Sequence, residues 1–191
     1  MSKFTVIPQS TFNELQVEAG VLLSNFDPLT AAAPADADII CATSGGINPS
    51  LVPTYSDFGE DIDNVPANMM ELKHLDSWEA KLSFTTPTVS LESIKLAVGA
   101  ADQVAASSTV AAHVTPRRDL SQSDFQTIWW VGDLADGGMV AIKLSNALST
   151  GGFSLQTSKA GKGMISVELT GHVSISAQSV VPMEFYWAAG E

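Results

Sequence analysis

The chain has 191 residues, enough for one substantial hydrophobic core and too few for two comfortable domains, so we expect a single domain over residues 1–191. Its 21 acidic residues against 9 basic ones give a net charge of −12. This balance excludes a surface that grips nucleic acid by replacing counterions at the phosphates. The acidic excess is greatest in residues 1–72, where Lys3 is the one basic residue.

The compartment follows from the cysteine count and from the hydropathy pattern. Cys41 is the single cysteine, so an internal disulfide is excluded, as suits a protein made in a reducing cytoplasm. Its apolar neighbours predict a buried thiol. The N-terminal residues lack the charged and apolar pattern of a signal sequence, and no apolar run is long enough to span a bilayer. We therefore expect neither secretion nor membrane insertion.

The first part of the chain predicts two strands and a loop. Apolar and polar residues alternate over residues 13–23, the period of two that is typical of a half-buried strand. Residues 25–38 contain two prolines and three consecutive alanines and predict a loop. Residues 38–43 predict a second strand, which leads to a turn at Gly45 and Gly46.

Three kinds of sequence meet in the middle of the chain. An acidic loop comes first, over about residues 55–72, where carboxylates, Gly and Pro are too frequent for a core segment. Residues 78–85 then alternate apolar and polar side chains, which predicts a half-buried strand. A helix follows over about residues 90–105, in which Ser90 can cap the first turn and Gly99 ends the first helical run.

Glycine turns separate short strands in the rest of the chain. A good hairpin turn lies at residues 136–138, and the adjacent Trp129 and Trp130 must face opposite sides of one strand. We predict that one of these tryptophans lies in the core and that the other is partly exposed or lies at a subunit contact. Many short strands and one helix predict a mainly β protein with a sandwich or barrel-like fold. The later strands are predicted over residues 109–114, 125–131, 139–144, 163–172 and 180–187.

The order of acidic loop, strand and helix, followed by these later strands, resembles the major tail tube proteins of long-tailed bacteriophages. The resemblance covers most of the chain. It implies a β-sandwich with one flanking helix, of which six copies close into a ring, and rings that stack into a hollow tube for genome ejection. It also implies a virion tail protein assembled in the host cytoplasm, without a cofactor or a membrane. Its partners would be copies of itself and other tail proteins, such as the tape measure, terminator and distal tail proteins.

DNA would pass through the lumen of such a tube without specific binding, and carboxylates on the wall would keep phosphates at a distance. In the family the inner wall is built from long strands. We therefore expect the polar faces of the strands at residues 13–23 and 163–172 to line the lumen, with their alternate apolar residues in the core. We predict that at least two of Glu14, Glu18 and Glu168 face the channel. The lumen candidates are Glu14, Gln16, Glu18, Ser166, Glu168 and Thr170.

The acidic loop has too few apolar residues to pack a core of its own. Ordering it costs about 1–2 kcal/mol per residue in backbone entropy, which we expect a neighbouring subunit or the next ring to offset. Its carboxylates would meet basic residues, and its apolar side chains would add contact. Met69 and Met70 have the alternative of tucking under the loop. The contact candidates are Asp57, Phe58, Glu60, Asp61, Ile62, Asp63, Met69, Met70, Arg117 and Arg118.

Sequence signals for catalysis or metal binding are nearly absent. The three histidines lie far apart, and no zinc spacing, nucleophile elbow or phosphate loop occurs. Asp57-Phe58-Gly59 copies three letters of a kinase motif without its companions, and we interpret it as a turn. We therefore expect no enzyme activity, no cofactor and no metal. Two other functions remain open: another virion ring protein, such as a tail terminator or decoration protein, and an acidic carbohydrate-binding β-sandwich, which would need exposed aromatics on a concave face.

Overall fold

The computed structural model describes residues 7, 8 and 10–190, and this part of the chain is mainly β. Three single-turn 3-10 helices lie within it, at Asp36–Asp38, Met70–Leu72 and Gln122–Asp124. In chain order the other elements are α1 (Ser10–Asn13), β1 (Gln16–Leu23), β2 (Ile47–Asp57), β3 (Lys73–Thr86), α2 (Leu91–Val98), β4 (Ala101–Val104), β5 (His113–Pro116), β6 (Gln126–Leu134), β7 (Met139–Ser149), β8 (Ser154–Gln156), β9 (Met164–Gly171) and β10 (Met183–Ala188).

Within the described residues, eight strands form one antiparallel sheet in the order β1-β6-β7-β9-β3-β2, with β10 beside β7 and β8 beside β9. The sheet branches at β7, because residues 139–144 pair with β10 and residues 147–149 pair with β9. Asn146, with a positive φ of 48°, lies between these two stretches. The strands β4 and β5 form a separate two-stranded sheet next to α2.

The main core lies where the two branches of the sheet and the helix meet. The strand predicted at residues 78–85 is confirmed, and its Ala80, Leu82 and Phe84 are buried against Val167 and Leu169 of β9. Leu22, Trp130, Ile142 and Met183 enter the same cluster from β1, β6, β7 and β10. Cys41 also belongs to it, as predicted, and burial raises the pKa of its thiol.

The predicted helix begins where the sequence indicates and ends earlier. Ser90 caps α2, since its side-chain oxygen accepts a hydrogen bond from the backbone N–H of Ser93 at 3.1 Å. Gly99, with a φ of 81°, ends the helix. The extension to residue 105 is wrong, because residues 101–104 leave the helix axis and pair with β5.

The second strand of the protein lies later in the chain than the sequence predicts. Residues 38–43 form no regular strand; Ile39 makes a single bridge to Leu23. The strand comes later, as β2, which contains Pro49 and Pro53 and takes in the first residues of the predicted acidic loop. Proline cannot donate to a ladder, and β2 tolerates it because, in the part of the chain that the structure describes, it is an edge strand that pairs with β3 alone.

The later strands are confirmed as β6, β7, β9 and β10, and the hairpin turn at residues 136–138 is confirmed by a hydrogen bond from Leu134 N to Gly138 O at 2.9 Å. The tryptophans face opposite sides, as predicted, yet both are buried. The expected partial exposure is wrong because Phe26 and Tyr186 cover Trp129 with ring centroids 5.7 and 5.4 Å away. The strand predicted at residues 109–114 is shifted to His113–Pro116.

Candidate assembly surfaces

The strands β2 and β3 continue beyond the rest of the sheet as a two-stranded arm. β3 pairs with β9 over residues 81–86, whereas its pairing with β2 runs on to Asp57 and Lys73. The side chains of residues 73–77 are exposed on both faces. We call residues 53–77 the arm and residues 58–72, which join the two strands, the tip.

The tip is ordered from within by the carboxylate of Asp57. This carboxylate accepts hydrogen bonds from the backbone N–H groups of Gly59 and Asn68, both at 3.0 Å, and lies 3.3 Å from the ammonium of Lys73. The Gly59 bond, followed by the Asn68 bond, holds the pKa of Asp57 below its ordinary value. The side chain is only 13% exposed. Asp57 is therefore engaged within its own chain, and the outside contacts expected for the rest of the loop remain a prediction.

The other tip candidates point outward. Phe58 is 64% exposed and Met70 is 80% exposed, and Ile62 and Met69 are exposed as well. Met70 therefore does not tuck under the tip. The ring of Phe58 lies 5.5 Å from that of His74 on the arm. The remaining candidates, Glu60, Asp61 and Asp63, are exposed and make no ion pair within the described residues.

The two arginine candidates differ. Arg117 is 19% exposed and contacts Asp124, which is almost fully buried, and Asp102 at 3.0 Å. The backbone N–H of Ser121 and then Arg117 lower the pKa of the Asp124 carboxyl. Arg117 thus ties β5 to the segment before β6 and is engaged in its own subunit. Arg118 is exposed, and no ion pair involves it in the described part of the chain.

A polar sheet face holds three of the lumen candidates. Ser166, Glu168 and Thr170 of β9 lie beside Thr85, Ser83 and Lys81 of β3, on the side away from the core. Their alternate residues Val167 and Leu169 are buried, as predicted. The ammonium of Lys81 lies 2.8 Å from Glu79 and 3.7 Å from Glu168, and these carboxylates, Glu79 first, raise its pKa. The face carries many hydroxyl groups and a small net negative charge.

The other three lumen candidates lie at the β1 edge of the sheet. Gln16 and Glu18 belong to β1, and Glu14 precedes it; all three are exposed. Strands β6 and β7 separate them from β9 in the strand order, so the two sets form no continuous strip. The expectation that their alternate residues lie in the core is wrong, because Leu15 is 49% exposed and Val17 is 37% exposed.

The cause is a break in β1. Glu18 and Gly20 adopt positive φ angles of 61° and 69°, and the register with β6 shifts between Val17 and Val21. A β-bulge of this kind disrupts the alternation of side chains. The Trp130 indole N–H donates to the carbonyl oxygen of Ala19 at 3.0 Å and fixes the break.

A groove of about 610 Å³ lies at the end of the polar face remote from the tip. Its floor comes from β2, β3 and β9, and its walls are the Gly45-Gly46 turn and the residues around Gly151. The polar side chains of the lining are five hydroxyls, the amide of Asn48 and the carboxylate of Glu168. Phe84, which also borders the groove, is almost fully buried and belongs to the core cluster.

The sequence analysis missed two exposed features. Lys159 and Lys162 lie in the turn between β8 and β9, are exposed, and form no ion pair within the described residues. Two lysines among glycines in an acidic chain were the available signal. Phe185 and Trp187 are exposed on the edge strand β10, and their alternation with Glu184 and Tyr186 gave a similar signal.

No group of three or more His, Cys, Asp or Glu side chains in residues 7, 8 and 10–190 could hold a metal ion. Over the same residues, no helix is both long enough and apolar enough to cross a membrane. No protein-family model matches the chain, and no curated protein matches it either.

Proposed function

We propose that this chain is the subunit of a phage tail tube, a structural virion protein that forms hexameric rings which stack into a conduit for genome ejection. The observation that carries the proposal is the arm. Its tip is ordered by Asp57 from within, yet it presents Phe58, Ile62 and Met70 to solvent. Exposed apolar side chains on a hairpin whose backbone is held by its own hydrogen bonds are typical of a surface that another protein covers.

The charge distribution supports the same function. A net charge of −12 disfavours binding to DNA, which a conduit must release. The polar face with Ser166, Glu168 and Thr170 offers hydroxyls and a carboxylate to a channel. We retain the prediction that at least two of Glu14, Glu18 and Glu168 face the lumen. A density map of the tube that places all three on the outside or in subunit contacts would contradict it.

In the proposed function the protein has no catalytic role and needs no cofactor. Its place is the tail of the virion, and its partners are copies of itself and the tape measure, terminator and distal tail proteins. The groove does not favour the carbohydrate-binding alternative, because its lining presents no exposed aromatic ring for a sugar to stack on.

Electron microscopy of the purified protein tests the proposal. We expect hollow tubes with six subunits per ring at high protein concentration, and dispersed subunits on dilution. Single rings that never stack would favour a tail terminator or another ring protein. A protein that stays monomeric at every concentration, measured by sedimentation velocity, would overturn the proposal.

A further inference from the structure

The two exposed lysines of the β8–β9 turn lie at the opposite end of the sheet from the tip. Thr86 of β3 pairs beside Ile165 at the start of β9, and Lys81 pairs beside Thr170 near its end. The turn, residues 157–163, precedes β9 and therefore lies at the Thr86 end of β3. The tip precedes Lys73, at the other end. At about 3.3 Å per residue, β3 separates the two by roughly 43 Å, so they cannot meet within one subunit.

The turn is a basic site in an acidic protein. Residues 145–167 contain no Asp or Glu, and Lys159 and Lys162 are the charged residues of that stretch. Phe153 and Leu155, which precede the turn, are exposed apolar side chains. The hydroxyl-lined groove adjoins the turn, since Ser154 and Ser166 form part of its lining.

The tip has the complementary composition. Glu60, Asp61, Asp63 and Glu71 are exposed and have no ion pair within the described residues. Phe58, Ile62 and Met70 supply the apolar part. One end of the subunit thus offers carboxylates with apolar side chains, and the other offers ammonium groups with apolar side chains and hydroxyl donors.

We propose that the tip of one subunit docks on the β8–β9 turn of a second copy of this chain, with Lys159 and Lys162 facing the tip carboxylates. This inference rests on the proposed function and names the receiving surface for the arm. Because donor and receiver are different surfaces at opposite ends, the contact is heterologous and repeats without closing, as a stacked tube requires. In this contact Lys159 and Lys162 take the place of Arg117, which is engaged in its own subunit, as the basic partners of the tip.

Paired charge reversals test the contact. Subunits with Lys159→Glu and Lys162→Glu would present acid to acid. Subunits with Glu60→Lys, Asp61→Lys and Asp63→Lys would carry three lysines and Glu71 at the tip and would present base to base. Each variant alone should assemble only above a critical concentration at least about tenfold higher than that of the unaltered protein. An equimolar mixture should form tubes at the unaltered concentration, since every tip then finds an opposite charge. Asp36→Lys, a reversal of an exposed charge outside the arm and the turn, should leave the critical concentration unchanged.

A cross-linking experiment gives a second measure that does not depend on charge reversal. With Ile62→Cys and Ser158→Cys in one chain, mild oxidation of assembled tubes should give a ladder of linked subunits on a non-reducing gel. Ile62→Cys with Ser107→Cys, which places the second thiol on the β4–β5 loop, should give no ladder. All the positions changed in these variants are exposed, and thermal unfolding midpoints will check that each variant is folded.

The outcomes separate the two proposals. If the unaltered protein forms tubes while both reversed variants assemble normally, or the mixture fails to assemble, the receiving surface is wrong and the tube function stands. Absence of the ladder from assembled tubes contradicts the receiving surface in the same way. If the unaltered protein never polymerises, both proposals fall.

Discussion

Replacing the tip, residues 58–72, with the two-residue turn Asn-Gly should leave a folded subunit that no longer forms tubes. The register supports this design, because Asp57 and Lys73 are directly paired and an Asn-Gly turn joins such strands. Shortening the connection from about fifteen residues to two lowers the loop-closure cost by about 1.8 kcal/mol. The tip loses exposed backbone hydrogen bonds such as Phe58 N to Leu72 O at 3.0 Å and Ile62 N to Gly59 O at 3.2 Å, each contributing about 0.5–1 kcal/mol.

The tip has five such backbone bonds, which sum to about 2.5–5 kcal/mol, so the free energy of unfolding should fall by about 1–3 kcal/mol and the monomer should stay folded. Assembly should change far more. If Phe58, Ile62 and Met70 each contribute about 1 kcal/mol to the contact between subunits, their loss raises the critical concentration by more than about a hundredfold. Urea unfolding of the monomer and electron microscopy across a concentration series measure the two quantities.

A matched variant separates the apolar side chains from the length of the tip. Phe58→Ser, Ile62→Ser and Met70→Ser together keep the length and the charge and should also abolish tubes. Leu29→Ser, a change of an equally exposed apolar residue outside the arm, should leave them intact. Long tubes from the tip-deleted protein would refute the role of the arm and leave the tip as solvated surface.

Three further predictions concern the fold and the lumen. Gly20→Ala should lower the free energy of unfolding by at least about 2 kcal/mol more than Gly45→Ala in urea titrations. Both glycines have positive φ, but a Cβ at residue 20 would lie 2.5 Å from the carbonyl oxygen of Val131, whereas residue 45 has open space. Asp124→Asn should cost about 1.5–3 kcal/mol at pH 7. Because the folded pKa of Asp124 is lowered, its stabilisation is present above the ordinary pKa of about 3.9 and is lost as pH falls through the folded value, so the variant and the unaltered protein should converge in acid unfolding curves. Neither subunits nor tubes should retard duplex DNA in gel-shift assays at low salt, and retardation would contradict a lumen that repels phosphate.

Local sequence patterns predicted the elements in which apolar and polar residues keep a regular spacing from one end to the other. β3 alternates over residues 78–85 because one side packs on the core and the other carries polar groups, and α2 has both its Ser90 cap and its terminating Gly99. β2 was missed because Pro49 and Pro53 argue against a strand unless its edge position is known, and an edge position depends on the whole strand order. The break at Glu18 and Gly20 likewise depends on contacts with Trp130, which is 111 residues away along the chain.

The sequence predicted which residue types the candidate surfaces carry, but not which of those residues are paired within the chain. The exposure of Phe58 and Met70 follows from a polar loop with few apolar residues. The engagement of Asp57 with Gly59 and Asn68, and of Arg117 with Asp124, depends on backbone and side chains that the fold brings together. Asp57 and Arg117, which look available in the sequence, therefore already have hydrogen-bond or ion-pair partners in their own chain. Lys159 and Lys162, in a glycine-containing turn, have no ion-pair partner within the described residues.

The charge of the subunit bears on how such a tube would grow. Copies that each carry −12 repel one another, and an exposed ion pair between tip and turn contributes only about 0–1 kcal/mol. A single arm contact is thus too weak to hold two dilute subunits together. A hexameric ring presents six tips at once, and after the first contact forms the others become effectively intramolecular. Growth would then proceed by whole rings, and a loss of about 0.5 kcal/mol per tip would sum to about 3 kcal/mol per ring, a change of more than a hundredfold in the affinity of one ring for the next. Small tip substitutions that leave the monomer unaffected are therefore expected to act strongly on the tube.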